Sequence, residues 1–218
     1  MQNEETEDQF SEFIRKHRKG IYTVMGTIII LFVGLIVYLS LNSYFQKKAT
    51  DEVEELNNKY AELRFLLADE HYKDDVNALL EKLDPLKGKS GYPGARAWTI
   101  IAHIYSSREE WPKAEEAWRN AAKTGKKTYL APAAFFNAAA AAENQGKIED
   151  AIMLLEKSIT YKFDFPAAPH AQFSIGRLYE QLGNIPAAAA AYRAVLVNWP
   201  NIETWANLAQ SRIIAIED

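Results

Sequence analysis

Residues 184–201 read NIPAAAAAYRAVLVNWPN, and residues 133–152 read AAFFNAAAAAENQGKIEDAI; each holds five alanines in succession. Drift toward low complexity and a packing rule that demands small side chains are the two explanations. Spacing decides between them. Ala114, Ala151 and Ala188 are each 37 residues apart. Trp111, Ile148 and Ile185 precede these alanines by three residues, and Trp118, Leu155 and Tyr192 follow by four. Trp98, Phe135 and Gln172 stand sixteen residues before them, and Ala102, Ala139 and Gly176 twelve before. A fixed period of this length is the signature of a repeat array. Each unit is two amphipathic helices joined by a tight turn, at residues 106–110, 145–146 and 182–183. Small side chains are required where helices cross closely, because larger ones push the axes apart. Ala139 and Ala188 occupy such crossings and Ala190 does not. Alanine is also the best helix former, so the runs mark close-packed helices.

The pattern resembles the tetratricopeptide repeat, which places a large residue, Leu-Gly and Tyr on its first helix, then Ala, an aromatic, Ala and Pro on its second. The last unit fits best, with Gly176, Tyr179, Gly183, Ala188, Tyr192 and Pro200 at matching positions. The first keeps Trp98, Ala102, Tyr105, Ala114, Trp118 and Ala121; the middle one keeps Phe135, Ala139, Gly146 and Ala151. The departures are a period longer than that of the family, absorbed by loops such as YKFDFPAAP, and a missing helix-ending proline in the first two units. Beyond residue 200 one more apolar face, Trp205, Leu208, Ala209 and Ile213, suits the capping helix that such an array needs.

Ahead of the repeats, residues 21–41 carry no charge. As a helix they reach about 31 Å, the thickness of a bilayer core. Tyr22, Tyr38 and Tyr44 fall near the ends, where amphipathic rings prefer the interface. A cleaved signal peptide is the rival reading. The apolar core is too long for it, the preceding residues hold five acids, and no A-x-A site follows. Arg15, Lys16, Arg18 and Lys19 flank the N-terminal side, against Lys47 and Lys48 beyond the other end. The positive-inside rule therefore expects a cytosolic tail over 1–20 and everything after residue 41 outside. Gly26 and Gly34 share a face open to a second membrane helix, although their spacing is not GxxxG and glycine is common in such helices.

Residues 42–94 read as a helical connector with a degenerate helix pair. Phe45, Ala49, Val53, Leu56, Tyr60, Leu63 and Leu67 form one apolar stripe, suited either to a short coiled coil or, given barely three heptads, to packing on the helices that follow. A second amphipathic stretch, residues 76–83, stops at Asp84 and Pro85. The segment PLKGKSGYPG, residues 85–94, concentrates glycine and proline and reads as a boundary. The expected fold is thus all-α: one transmembrane helix over 21–41, then three repeats and a cap over 95–218.

Composition excludes several chemistries. The 218 residues carry a net charge of −4 with lysine and arginine spread along the chain, which offers no footprint for nucleic acid. Absence of cysteine removes disulfides, thiolate metal sites and cysteine nucleophiles. His17, His71, His103 and His170 lack ligand spacing, and no catalytic or phosphate-loop motif occurs. The acid pairs Glu115-Glu116 and Glu149-Asp150 sit at the starts of second helices, where a solvated first turn explains them through the helix dipole. The chain is not expected to be an enzyme, nor to take a cofactor, a metal or a small-molecule substrate.

What remains is binding of proteins. In a tetratricopeptide array the first helices line a concave surface, and here the offsets place Arg96, Thr99, His103, Phe136, Asn137, Ala140, Phe173, Arg177 and Gln181 on it. Phe136 and Phe173, one period apart, offer either an aromatic shelf for a peptide or packing onto the adjoining helix. The lysine and asparagine pattern of the carboxylate-clamp repeats is not present.

The whole arrangement, with the closing helix and its Arg212, resembles the YfgM-like family, the ancillary subunit of the SecYEG translocon. That resemblance implies a single-pass protein of the bacterial inner membrane, anchored in lipid through residues 21–41, with its repeats in the periplasm. It further implies a chaperone-like adaptor that meets emerging chains beside the translocon and a membrane-anchored prolyl-isomerase-like chaperone. The alternative is a scaffold in another envelope machine, such as a flagellar motor collar or a cell-wall assembly complex.

Overall fold

The protein is described by a computed structural model that covers residues 2–65 and 71–217, with side chains described from residue 12 onward except at residue 13. Leu67, the last residue of the expected stripe, lies outside the described residues. Every element among them is helical. They are α1 (Gln2–Leu63), α2 (Tyr72–Leu83), a 3-10 turn (Asp84–Leu86), α3 (Tyr92–Ser107), α4 (Trp111–Thr124), α5 (Leu130–Glu143), α6 (Ile148–Ile159), α7 (Ala168–Gln181), α8 (Ile185–Asn198) and α9 (Glu203–Glu217). The chain forms two compact units that divide between Lys48 and Ala49, within α1.

In the first unit α1 exposes its apolar side chains all round, Tyr22, Ile30 and Phe32 among them. A window of this helix has a mean hydropathy of 2.6 and no buried share, so by length and composition it is a candidate membrane anchor. Its hydroxyls fit that solvent. Thr23 Oγ1 donates to the Lys19 carbonyl and Thr27 Oγ1 to the Thr23 carbonyl, each at 2.9 Å. In hydrocarbon an unsatisfied hydroxyl costs several kcal/mol, on the order of a lost hydrogen bond in alkane.

The second unit begins where the stripe turns inward. Ala49, Val53, Leu56, Tyr60 and Leu63 are buried in one core with Val76, Leu79 and Leu83 of α2, whereas Phe45, just before them, is exposed. Residues 85–94 form a packed corner between α2 and α3. Leu86, Pro93 and Gly94 are buried. A Cβ on Gly94 would meet the Lys89 carbonyl at 1.8 Å, and Gly91 takes φ +73°, so glycine is what lets this corner close. The core continues through it into the repeats.

Each repeat pairs antiparallel helices: α3 with α4, α5 with α6, α7 with α8. The turns between them are copies of one another. Glu109, Gly146 and Gly183 all have positive φ, at 57°, 74° and 71°. In each, the next residue's N–H reaches back to the carbonyl five residues earlier: Glu110 to Tyr105, Lys147 to Ala142, Asn184 to Tyr179, at 2.9–3.0 Å. These are Schellman closures, which require a left-handed residue just past the helix. Glycine fills that place twice and glutamate once.

Small residues sit at the crossings as the spacing requires. Ala102, Ala139 and Ala188 are buried and Ala190 is exposed. At Gly176 an added Cβ would meet the Tyr192 ring at 2.5 Å. The Tyr192 ring thus packs directly on the glycine, at the position where the earlier repeats have Trp118 and Leu155. Tyr192, Val195, Ala209 and Ile213 form a second core cluster under α9. Polar contacts latch the cap. Glu180 accepts from the Tyr192 hydroxyl and pairs with Arg212, and Arg193 pairs with Glu217.

The acidic residue Glu115 departs from the expected solvated turn. Only 7% exposed, it receives Arg119 at 2.7 Å and, from the next repeat's turn, Gln145 at 2.8 Å and Lys147 at 2.9 Å. The turn after α5 folds over the start of α4 and excludes the water that a first-turn carboxylate would otherwise have. Burial disfavours the charge, but the three donors outweigh it and hold the carboxyl below its ordinary value. Glu116, its neighbour, is exposed.

Two stability measurements check these features. Glu109→Gly should raise the urea midpoint, with a gain of about 0.5–1 kcal/mol left after the strain relief is offset by the freer unfolded chain; an unchanged or lower midpoint argues against strain at this turn. Glu115→Gln should cost about 1–2 kcal/mol at neutral pH, the part-exposed Lys147 and Arg119 limiting the loss. Because the folded pKa is depressed, the glutamate's stabilisation is present above the ordinary value of 4.5 and disappears as pH falls through the folded value. The two proteins should therefore converge in acid, and a gap independent of pH would rule the charge out as its cause.

Candidate functional site

The first helices of the repeats, α3, α5 and α7, carry the residues expected on the binding face. Between α5 and α7 a hollow of about 180 Å³ opens. Its floor is Leu155 of α6 and Ala139 of α5, both buried. Phe136 and His170 form its apolar walls, and Ala140 lies exposed at the mouth. Across its rim Arg177 donates to both oxygens of Glu143, at 2.6 and 2.7 Å. Such a paired fork on a carboxylate fixes orientation as well as charge.

Aromatic rings continue the wall. Phe165 lies 5.7 Å from Phe136, Phe136 5.0 Å from His170, and His170 stacks on Trp205 at 4.4 Å and 12°. Trp205 meets Phe173 at 5.5 Å, and Phe173 meets Tyr192 at 5.1 Å. Six rings from α5, α7, α8, α9 and the α6–α7 loop thus form one ladder. Burial first, and the charge of Arg177 second, push the His170 pKa down. The imidazole therefore stays neutral in the ladder at physiological pH, where a proton would cost it the apolar neighbours.

Phe136 and Arg177 meet in the hollow. Phe136 and Phe173 are both half-buried and are joined through His170 and Trp205, each ring packed on its neighbours. Asn137 is half-buried and donates to the Ala133 carbonyl at 2.9 Å. On α3, Arg96 donates to Glu54 at 3.1 Å, and the Tyr92 hydroxyl shares that carboxylate at 2.6 Å. His103 keeps an exposed edge while its ring meets Trp118 edge-on at 4.7 Å. The surrounding chain, followed by the charges of Arg64 and Arg96, lowers its pKa to about 4. Thr99 leaves the face: it is buried and donates to the Ala95 carbonyl at 2.9 Å. Gln181 is exposed.

Sequence reasoning missed Glu143, His170 and Trp205. The first two were within reach, since 136, 140 and 143 share one helix face and 170, 173 and 177 another. Larger hollows lie elsewhere. One of about 380 Å³ is walled by Trp98 and Tyr105, but Lys87 and Lys113 lie 5.2 and 5.3 Å from the centres of these rings and cover them. The hollow between α5 and α7 has no such cover among the described residues.

Comparison with known proteins places the chain. Residues 11–217 match the family model described as tetratricopeptide repeat-like domain. A TPR repeat-containing protein of Treponema pallidum (strain Nichols) is 38% identical over 144 residues, 66% of this chain and 59% of that protein. The chain thus spans less than two thirds of that relative's length. Two crystal structures of nearly identical TPR-like repeats, ascribed to a kinesin light chain of Podosopora anserina, resemble it with TM-scores of 0.51 and 0.53. They are 15% identical over 69% of this chain and 77% of theirs, a likeness of fold. Stacked arrays of this kind present extended surfaces to other proteins and are interaction scaffolds. With its repeat spacing, its Schellman turns and a match along residues 11–217, the chain belongs to the tetratricopeptide repeat-like domain family.

Proposed function

We propose that this chain is a membrane-anchored adaptor whose repeats capture an extended segment of a protein partner in the hollow between α5 and α7. The observation that carries this reading is the hollow itself. It combines an apolar floor and a ring-lined wall with a charged fork at the rim, the mixture by which pockets hold a side chain and orient a backbone. The aromatic rings supply the large, rigid contact area typical of binding hot spots.

The finer reading is a periplasmic, chaperone-like adaptor beside the secretion translocon and a membrane-bound chaperone. It rests on the YfgM-like architecture and on the basic cluster at residues 15–19. Under it, α1 crosses the bacterial inner membrane once with its N-terminus in the cytosol. A fixed scaffold in another envelope machine is the second reading, favoured by the ion pairs that latch the cap and fix the array's end.

Filling the hollow tests the site without removing any packed group. Ala140→Trp should leave the melting midpoint close to that of the native chain and should sharply reduce partners crosslinked in native membranes and identified by mass spectrometry. Undiminished capture with the hollow filled would place the binding surface elsewhere. The same crosslinks separate adaptor from scaffold, as many substoichiometric clients or as a few partners in constant ratio. For topology, a reporter at the C-terminus that is active only outside the cytosol should give signal; activity confined to a cytosol-only reporter would reverse the assignment.

A further inference from the structure

The two edges of the repeat array differ in composition. On one lie the turns inside the repeats, at residues 107–110, 144–147 and 182–184, which contain no aromatic residue. On the other lie the segments that lead into the first helices, at residues 84–92, 125–129, 160–167 and 199–203. These carry Tyr92, Tyr129, Tyr161, Phe163, Phe165 and Trp199 together with Lys87, Lys89, Lys126, Lys127 and Lys162. Five lysines stand against three acids there, Asp84, Asp164 and Glu203, in a chain whose net charge is −4. Asp84 is already paired with Lys87. Lys89, Lys126, Lys127 and Lys162 have no ion pair among the described residues.

Contacts make these segments one continuous edge. The Tyr92 and Tyr129 rings lie 6.1 Å apart, the Tyr161 hydroxyl donates to the Lys126 carbonyl at 2.8 Å, and Tyr161 stacks on Phe163. Tyr161, Phe163 and Trp199 line a common hollow of about 360 Å³. Tyr129 and Ile202 are exposed beside them. The edge is also where the chain enters this unit. Glu54 reaches Tyr92 and Arg96 at the start of α3, whereas Tyr60, farther along α1, lies beside Ser107 at the end of α3, so this part of α1 runs in the direction of α3 and Ala49 lies toward the aromatic edge. The candidate membrane segment ends a few residues earlier in the sequence.

We propose that this edge is a lipid-docking surface that rests on the headgroups of an anionic bilayer, with Tyr129, Phe163, Trp199 and Ile202 at the interface and Lys89, Lys126, Lys127 and Lys162 on the lipid charges. Aromatic rings with one polar and one apolar end concentrate at membrane interfaces. Each lysine near an anionic surface strengthens partition by about fivefold. Exposed Tyr129 and Ile202 and half-buried Phe163 and Trp199 stand here beside lysines without ion pairs, and the turns of the opposite edge carry neither an aromatic ring nor such a lysine. The docking rests on the membrane anchorage of the reading above and adds an orientation to it: the turns inside the repeats face away from the lipid.

The cysteine-free chain allows a direct test. Full-length protein carrying a single fluorophore at Asn201→Cys, or at Asn144→Cys on the opposite edge, is placed in lipid discs containing headgroup spin labels that quench nearby dye. In phosphatidylcholine discs enriched in phosphatidylglycerol, dye at position 201 should be quenched several-fold more than dye at 144. Combined Lys126→Glu, Lys127→Glu and Lys162→Glu should remove that excess while circular dichroism shows helicity unchanged. Equal quenching at the two positions overturns the proposal, and so does an excess that survives charge reversal. Incorporation of the chain into discs at all reports on the anchor separately, so failure of docking and failure of anchorage are distinguished.

Discussion

The close approach of helix axes is the constraint on which the rest of the structure depends. An array of short helices buries little surface per helix, so each must come near its neighbours to bury enough. Ala102, Ala139 and Ala188 permit that approach on the first and second helices, and Gly176 permits it further by removing even the methyl. At Gly176 a ring packs directly on the backbone: Tyr192 is fully buried there and then has a hydroxyl to satisfy, which it does on Glu180. One small residue thus leads to a large ring, a carboxylate and, through Arg212, a latched cap.

The same dependence links fold and groove. The hollow between α5 and α7 exists because Ala139 and Ala140 leave space where longer side chains would fill it. Its walls stand because Phe136 and His170 are held by rings behind them. Trp205, from the cap, supports His170 and Phe173 together, so the capping helix shapes the wall of the hollow as well as closing the core. A variant that loosens α9 therefore reaches the groove through Trp205 before it reaches the first two repeats.

Local features were legible in the sequence and distant partnerships were not. The 37-residue period located the crossings, separated Ala188 from Ala190, and placed turns at Gly146 and Gly183, because these depend on residues within one helical hairpin. Glu109 was harder to read, since a non-glycine residue gives no local sign that it will be left-handed; only its place one period before Gly146 marks it. Glu115 looked like a solvated acid because its partners, Gln145 and Lys147, stand 30 residues or more away. At residues 85–94 glycine and proline announce the bend, whereas whether the bend is covered depends on what folds over it. In the groove, Phe136 and Arg177 could be placed on one face from spacing, whereas the ladder through His170 and Trp205 requires the cap to be in position.

The joints between successive repeats are not made alike. The first is fastened by Glu115, a carboxylate shielded from solvent, the second by the more open pair of Glu143 and Arg177, and the last by Arg212 on the half-buried Glu180 and Arg193 on the exposed Glu217. Dissolved ions screen open pairs and scarcely touch shielded ones. Rising ionic strength therefore loosens the second joint and the outer contact of the last while leaving the first nearly unchanged, so the groove lies beside a joint that salt can soften.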